Sequence, residues 1–166
     1  LINPPNETLK RGLTTLEPGE SWLLQPKQDP NNPYLWSPGI KLGVGRGNFT
    51  QQNELFGPVL GLIRAENLDQ AIHIANSTPY GLTSGLQSLD KREQKKWQRL
   101  IIAGNCYINR SITGAIVRRQ AFGGCKNSSF GRGSKGGGPN YLTQLMHAKQ
   151  KGIPKEKFPV GDFVNN

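Results

Sequence analysis

From Glu54 onward the apolar and polar positions fall into two alternating patterns. Val59-Leu60-Gly61-Leu62-Ile63 is a short, partly β-branched run that predicts a buried strand. Asn67 then offers an N-cap, Gln70 completes a capping-box spacing, and Leu68, Ala71, Ile72 and Ala75 follow at helical intervals until Pro79 forbids continuation. The pattern predicts a helix over about 67–76. Leu82–Gln87 predicts a second strand. Asp90 and Glu93 repeat the capping-box spacing ahead of Trp97, Leu100 and Ile101 on one helical face, with Gly104 as the stop of a second helix. Asn105–Asn109 predicts a third strand. Strand, helix, strand, helix, strand is a βαβαβ unit with parallel strands and right-handed crossovers, an α/β fold. In open parallel sheets the ligand crevice lies beyond the carboxyl ends of the strands, so chemistry is expected just after Asn109.

The flanks read differently. Prolines at 4, 5, 18, 26, 30, 33 and 38 break the first part and leave room only for short strands such as Trp22–Gln25 and Ile40–Val44. After Asn109, glycine-rich stretches run from Thr113 to Cys125 and from Ser128 to Pro139. Glycines there leave peptide N–H groups open to a ligand. The expected organisation is an irregular segment 1–53, a βαβαβ segment 54–142 with a glycine-rich loop, and a basic arm 143–166 interrupted by Pro154 and Pro159.

A chain of 166 residues suits one domain and can bury roughly 70% of its unfolded surface. Its hydrophobic content is 34%, so a sparse core or a missing partner surface is expected. The net charge of +10 is lopsided: residues 1–90 hold six basic and eight acidic residues, residues 91–166 fifteen and three. The run lacks any stretch of 18 or more apolar residues and any signal-like start, which argues against a membrane span or secretion. Two cysteines make no disulfide framework, and neither CxxC nor HxxxH spacing supports a metal site. A reducing, cytoplasmic compartment is expected. The chain starts with Leu1 rather than Met, which reads as an excised piece.

Several chemistries compete. A phosphate loop fails, because GxxxxGK[ST] is absent and Gly43-Val44-Gly45-Arg46-Gly47 has neither the spacing nor a following helix. The basic C-terminal half, with Tyr107, Phe130 and Tyr141 interspersed, admits a non-enzymatic module that binds nucleic acid or another anionic partner. Lys91, Arg92, Lys95, Lys96 and Arg99 are equally explained as a solvated helix face. Cys106, inside an apolar strand, reads as a buried and inert thiol. Cys125, between glycines and Lys126, has the surroundings of a more reactive thiolate, or is a passive loop cysteine. His73 and His147 have no partners at triad spacing. Glu54-Leu55-Phe56-Gly57-Pro58 places a carboxylate two residues from an aromatic on a stiff turn. Such a pair can accept sugar hydroxyls while the ring lies on a flat heterocycle, or be a surface Glu beside a core Phe.

Four motifs in order decide between these. Glu54-Leu55-Phe56-Gly57-Pro58-Val59-Leu60, Tyr80-Gly81-Leu82-Thr83-Ser84-Gly85, Gly104-Asn105-Cys106-Tyr107-Ile108-Asn109-Arg110 and Phe122-Gly123-Gly124 resemble the C-terminal motif series of the aldehyde dehydrogenases. Thr113-Gly114-Ala115-Ile116-Val117 and Gly136-Gly137-Gly138-Pro139-Asn140-Tyr141-Leu142 narrow the resemblance to the L-glutamate γ-semialdehyde (Δ1-pyrroline-5-carboxylate) branch, over roughly residues 1–142. The resemblance implies the C-terminal part of an NAD-dependent catalytic domain that oxidises the semialdehyde to glutamate in proline catabolism. In that family a cysteine thiolate attacks the aldehyde, hydride passes to NAD and a glutamate-activated water releases the acid. It further implies that Glu54 binds the nicotinamide ribose and that Phe56 packs near the nicotinamide. Gly114 and Ala115 would offer backbone N–H groups to the substrate carboxylate, and Phe122 would wall its aliphatic stem. Ala121 and Gly137 depart from the family's usual Pro and Ala. The motif of the nucleophilic cysteine lies upstream in the family, so no residue here is expected to be catalytic and the chain alone is expected to be inactive. The remainder of its own enzyme chain is the implied partner, with a homo-oligomer possible in the family.

Overall fold

In the computed structural model, residues 4–113, 115–116, 122–130, 142–147 and 149–152 are described. The chain begins where only short strands were expected, with a helix, α1 (Glu7–Thr14). Pro5 and Pro18 bracket enough residues for two turns. Asn6 caps the start by accepting from Leu9 N at 2.8 Å. Leu9 and Leu13, one turn apart, then bury one stripe against Leu55, and Trp36, Phe49 and Val59 pack around the three. Proline density hid this helix because a break at each end says nothing about the residues between.

β1 (Ser21–Leu24) and β2 (Gly39–Leu42) pair antiparallel with an irregular register between Trp22 and Leu24. A short helix, α2 (Phe49–Gln52), leads to β3 (Val59–Gly61), which lies parallel to β2 with Ile40 beside Leu60. α3 (Leu68–Asn76) follows its predicted cap, Gln70 N donating to Asn67 Oδ1 at 2.9 Å. Then come β4 (Tyr80–Gly81), β5 (Thr83–Leu86), α4 (Lys91–Leu100) and β6 (Asn105–Ile108). β7 (Cys125–Lys126) and a 3-10 turn over Leu142–Leu145 complete the described elements.

The α/β class and the element order match expectation, but the strands are shared out differently. β5 and β6 form a parallel pair, Thr83 beside Asn105 through Leu86 beside Ile108. β3 joins β1 and β2, and among the described residues no ladder connects it to β5. An apolar run predicts that a strand forms but not which edge it will occupy. α4 also stops at Leu100, short of Gly104. The side chain of Asn76 takes over there: its amide donates to Leu100 O and its carbonyl accepts from Ile102 N, both at 2.8 Å. These two bonds satisfy backbone groups that a longer helix would have paired.

Lys41 is the least expected core residue, 1% exposed in the middle of β2. Its ammonium donates to Thr15 O at 2.7 Å, Thr50 Oγ1 at 3.1 Å and Glu20 Oε2 at 3.4 Å, and it faces the Trp22 ring at 5.2 Å. The Glu20 side chain is equally sealed. Burial works to raise the Glu20 pKa, but hydrogen bonds from Glu17 N and Asn48 Nδ2, with the charge of Lys41, outweigh it and hold the carboxyl below its ordinary 4.5. The pair ties α1's exit, β1, β2 and α2 together.

Lys41→Met strands a buried carboxylate and is expected to lower stability by about 3 kcal/mol, whereas the double change with Glu20→Leu recovers much of the loss; urea midpoints of the three variants check this. Because Glu20 has a lowered folded-state pKa, its contribution is complete above its unfolded value near 4.5. It fades as pH falls through the folded value. Glu20→Gln should therefore flatten the acid limb of the stability profile, and an unchanged limb would contradict the assignment.

Candidate functional site

Leu55 fixes the aim of its neighbours. It is buried in the α1 cluster while Glu54 and Phe56, on either side, are exposed. Phe56 adopts φ +52, a left-handed conformation that costs a bulky residue about 1–3 kcal/mol, and its ring is 85% exposed. An aromatic held in that conformation and kept out of the core suits a site better than a packing role. Gly57 makes the turn possible, since a Cβ there would collide with the Leu9 side chain. Among the described residues Glu54 accepts no hydrogen bond, so its carboxylate stands open beside the ring. Upstream, α2 is anchored by Phe49 N donating to Glu17 Oε2 at 2.8 Å, while Arg11 pairs with that same carboxylate at 3.0 Å and stacks on the Phe49 ring.

Glu54 and Phe56 line an open cleft of about 760 Å³, together with Thr78, Gly81, Ile102 and Ser128. It lies at the amino ends of β5 and β6, not beyond their carboxyl ends where the sheet rule pointed. The loop after β6 does depart from the carboxyl end: Asn109, at φ +53, clamps Ser88 through both side-chain atoms, and Ile112 lies over Gly85. Ala115, on that departing stretch, is exposed. Gly114 lies outside the described residues. The chain is next described at Phe122, which is half-buried and precedes a return to the amino end of β6. There Asn105 Nδ2 donates to Gly123 O at 2.7 Å and to Leu82 O at 2.9 Å. Gly104 permits the approach, because a side chain at that position would strike Gly123. The structure thus brings Glu54 and Phe56 together, sets Phe122 at the same end of the sheet, and leaves Ala115 on the stretch that departs from the other end.

β7 then pairs antiparallel with β4, Gly81 beside Cys125 and Tyr80 beside Lys126. Cys125 is half-buried, and the Lys126 ammonium is engaged by the Asn76 and Thr78 carbonyls. Cys106, expected to be buried, is exposed: Asn105 and Tyr107 take the covered face of β6, and the alternation of a strand turns Cys106 the other way. Partial burial of the thiol and the nearby Cys125 still push it above its ordinary value, away from thiolate character. Among the described residues no three His, Cys, Asp or Glu side chains gather as metal ligands, and no helix is long and apolar enough to cross a membrane. Sequence reasoning missed Gln51, Gln52, Asn105 and Lys126, whose side chains hold the cleft's segments in place. Asn105 had drawn notice only as part of a strand and motif, and Lys126 only as a neighbour of Cys125.

The family model described as "Aldehyde dehydrogenase family" matches residues 6–151. The chain is 40% identical over 121 residues to 1-pyrroline-5-carboxylate dehydrogenase 2 of Halalkalibacterium halodurans and to 1-pyrroline-5-carboxylate dehydrogenase of Bacillus subtilis, covering 73% of this chain and 23% of each relative. It therefore spans about a quarter of the length of these curated relatives. Among solved structures, proline utilization A from Corynebacterium freiburgense is similar at 53% identity and TM-score 0.86, over 96% of this chain and 17% of that one. The 1-pyrroline-5-carboxylate dehydrogenase from Thermus with bound NAD is similar at 36% identity and TM-score 0.65, over 72% of this chain and 24% of that one. An exposed carboxylate and aromatic on one turn, the order of strands and helices around them, and a match across most of the chain agree: this chain belongs to the aldehyde dehydrogenase family.

Proposed function

We propose that this chain is the C-terminal part of the catalytic domain of an NAD-dependent dehydrogenase that oxidises L-glutamate γ-semialdehyde to glutamate in proline catabolism. The observation that carries the reading is the Glu54–Phe56 turn, whose open carboxylate and exposed ring, the latter on a left-handed backbone, meet on one cleft. Those groups fit a nicotinamide nucleotide: the carboxylate accepts from a ribose diol, and the ring offers a face to the heterocycle. NAD, when bound, supplies the hydride acceptor. The names of the curated relatives support the substrate, and the NAD-bound Thermus neighbour supports the cofactor.

In this reading Glu54 and Phe56 orient the cofactor. Backbone N–H groups of Gly114 and Ala115 hold the substrate carboxylate, and Phe122 packs on its aliphatic stem. Backbone donors suit an anion without adding a charged side chain. The nucleophile comes from outside this chain, since neither Cys106 nor Cys125 stands in the motif that carries it in the family; the raised Cys106 pKa is in keeping with that. The segments 1–53, 54–142 and 143–166 then serve as frame, site and terminal arm. The rest of the enzyme chain is the obligate partner, association with a second copy is compatible, and the location is cytoplasmic. The anion-binding alternative lacks support at α4, where Lys91, Arg92 and Lys96 are engaged by Gln94, Asp90 and Asp69.

In the complete protein, Glu54→Ala is expected to weaken NAD binding about tenfold or more, the scale of one hydrogen bond to a charged group. Titration of NADH fluorescence measures it, and an unchanged affinity would remove Glu54 from the cofactor site. Cys106→Ser and Cys125→Ser should each leave the burst of NADH formation on mixing with semialdehyde intact. Loss of the burst in either would make that thiol the nucleophile and refute the assignment of the reactive sulfur elsewhere.

A further inference from the structure

The carboxyl end of α3 is held from two directions. From the cofactor side, Gln51 Nε2 donates to Ser77 Oγ at 2.9 Å and to Ile74 O at 3.3 Å, and Gln52 Nε2 donates to Ser77 O at 3.2 Å. These glutamines close α2, immediately before Glu54 and Phe56. From the other side, the Lys126 ammonium donates to Asn76 O at 2.6 Å and to Thr78 O at 2.8 Å, and Asn127 N donates to Pro79 O at 3.1 Å. Lys126 closes the strand that follows Phe122 and Gly123, and Ser128 Oγ accepts from Gly81 N at 3.0 Å just beyond it. The last carbonyls of the helix, which have no partners within it, are thus divided between the two segments that line the cleft.

Two features make Lys126 more than a surface contact. Its charge sits at the negative end of the helix, where a cation is favoured. Its backbone is at φ +53, a conformation in which glycine would be unstrained. A lysine stands at this position despite the strain, and the work visible for its side chain is its grip on α3.

We propose that Lys126 is a positioning residue and that the end of α3 is a bracket coupling the substrate segment to the cofactor turn. The inference rests on the function proposed above. Binding coupled between two sites is reciprocal, and a bracket shared by both segments lets a change in either one reach the other. Severing Lys126, on the substrate side, shifts the end of α3 and with it the glutamines that close α2 two residues before Glu54. Severing Gln52, on the cofactor side, loosens the seat of the segment carrying Phe122.

The test uses the complete protein and NADH as the probe, titrated by fluorescence without turnover, alongside the KM for L-glutamate γ-semialdehyde. Lys126→Met is expected to weaken NADH binding at least about fivefold, and Lys126→Arg, which restores a donor to the same carbonyls, to recover most of it. Gln52→Leu is expected to raise the aldehyde KM by a similar factor, and it carries the test alone if Lys126→Met does not fold. A folded Lys126→Met with unchanged NADH affinity, or Gln52→Leu with an unchanged aldehyde KM, overturns the bracket while leaving the proposed function standing. A wild-type protein that binds no NADH overturns the proposed function instead.

Discussion

The burial of Leu55 against Leu9 and Leu13 is the contact from which the site takes its geometry. With Leu55 drawn inward and Phe56 in a left-handed turn, both Glu54 and Phe56 are left on the outside. Lys41 and Glu20 complete the frame by a different physics. A charged pair inside a sheet contributes little net stability over an apolar pair, but it requires its partners to be in register. Hydrogen bonds to Thr15 and Thr50 make the ammonium a fixed point shared by three elements.

Much of the middle of the fold was legible because its signals are local. Asn67 and Gln70 begin α3 and Pro79 forbids its extension, all within one window of sequence. α1 was not legible: its prolines were read as disruption although they only bound it, and its apolar stripe makes sense only once Leu55 is present to receive it. The strand positions were readable and their partners were not. β3 could have continued the β5–β6 pair on pattern alone, but the edge it occupies was settled by β2, contributed from the proline-rich segment.

The site divides along the same line. Glu54 and Phe56 stood out because a motif announced them, and the motif also explained why an aromatic should be exposed. Gln51, Gln52 and Lys126 are ordinary polar residues whose roles appear only when their reach is known. Lys126 grips a carbonyl 50 positions earlier in the chain, and no spacing rule covers such a contact. The sheet rule pointed to the departure of the loop after β6, where Gly114 and Ala115 lie in the sequence, and is silent on the cleft at the other end, which needs α2, the Glu54–Phe56 turn and the segment after β7 as well as the start of β5.

Gly104 shows how a missing atom can set the gauge of an assembly. Its bare Cα is what lets one layer of backbone rest directly on the next, and a single methyl group there would lift the returning strand off the sheet. Every bond that strand makes further along, from the carboxamide of Asn105 to the ammonium of Lys126, is measured from that point of rest. A change of side chain on the exposed face of β6 leaves that contact alone, whereas added volume at its threshold does not.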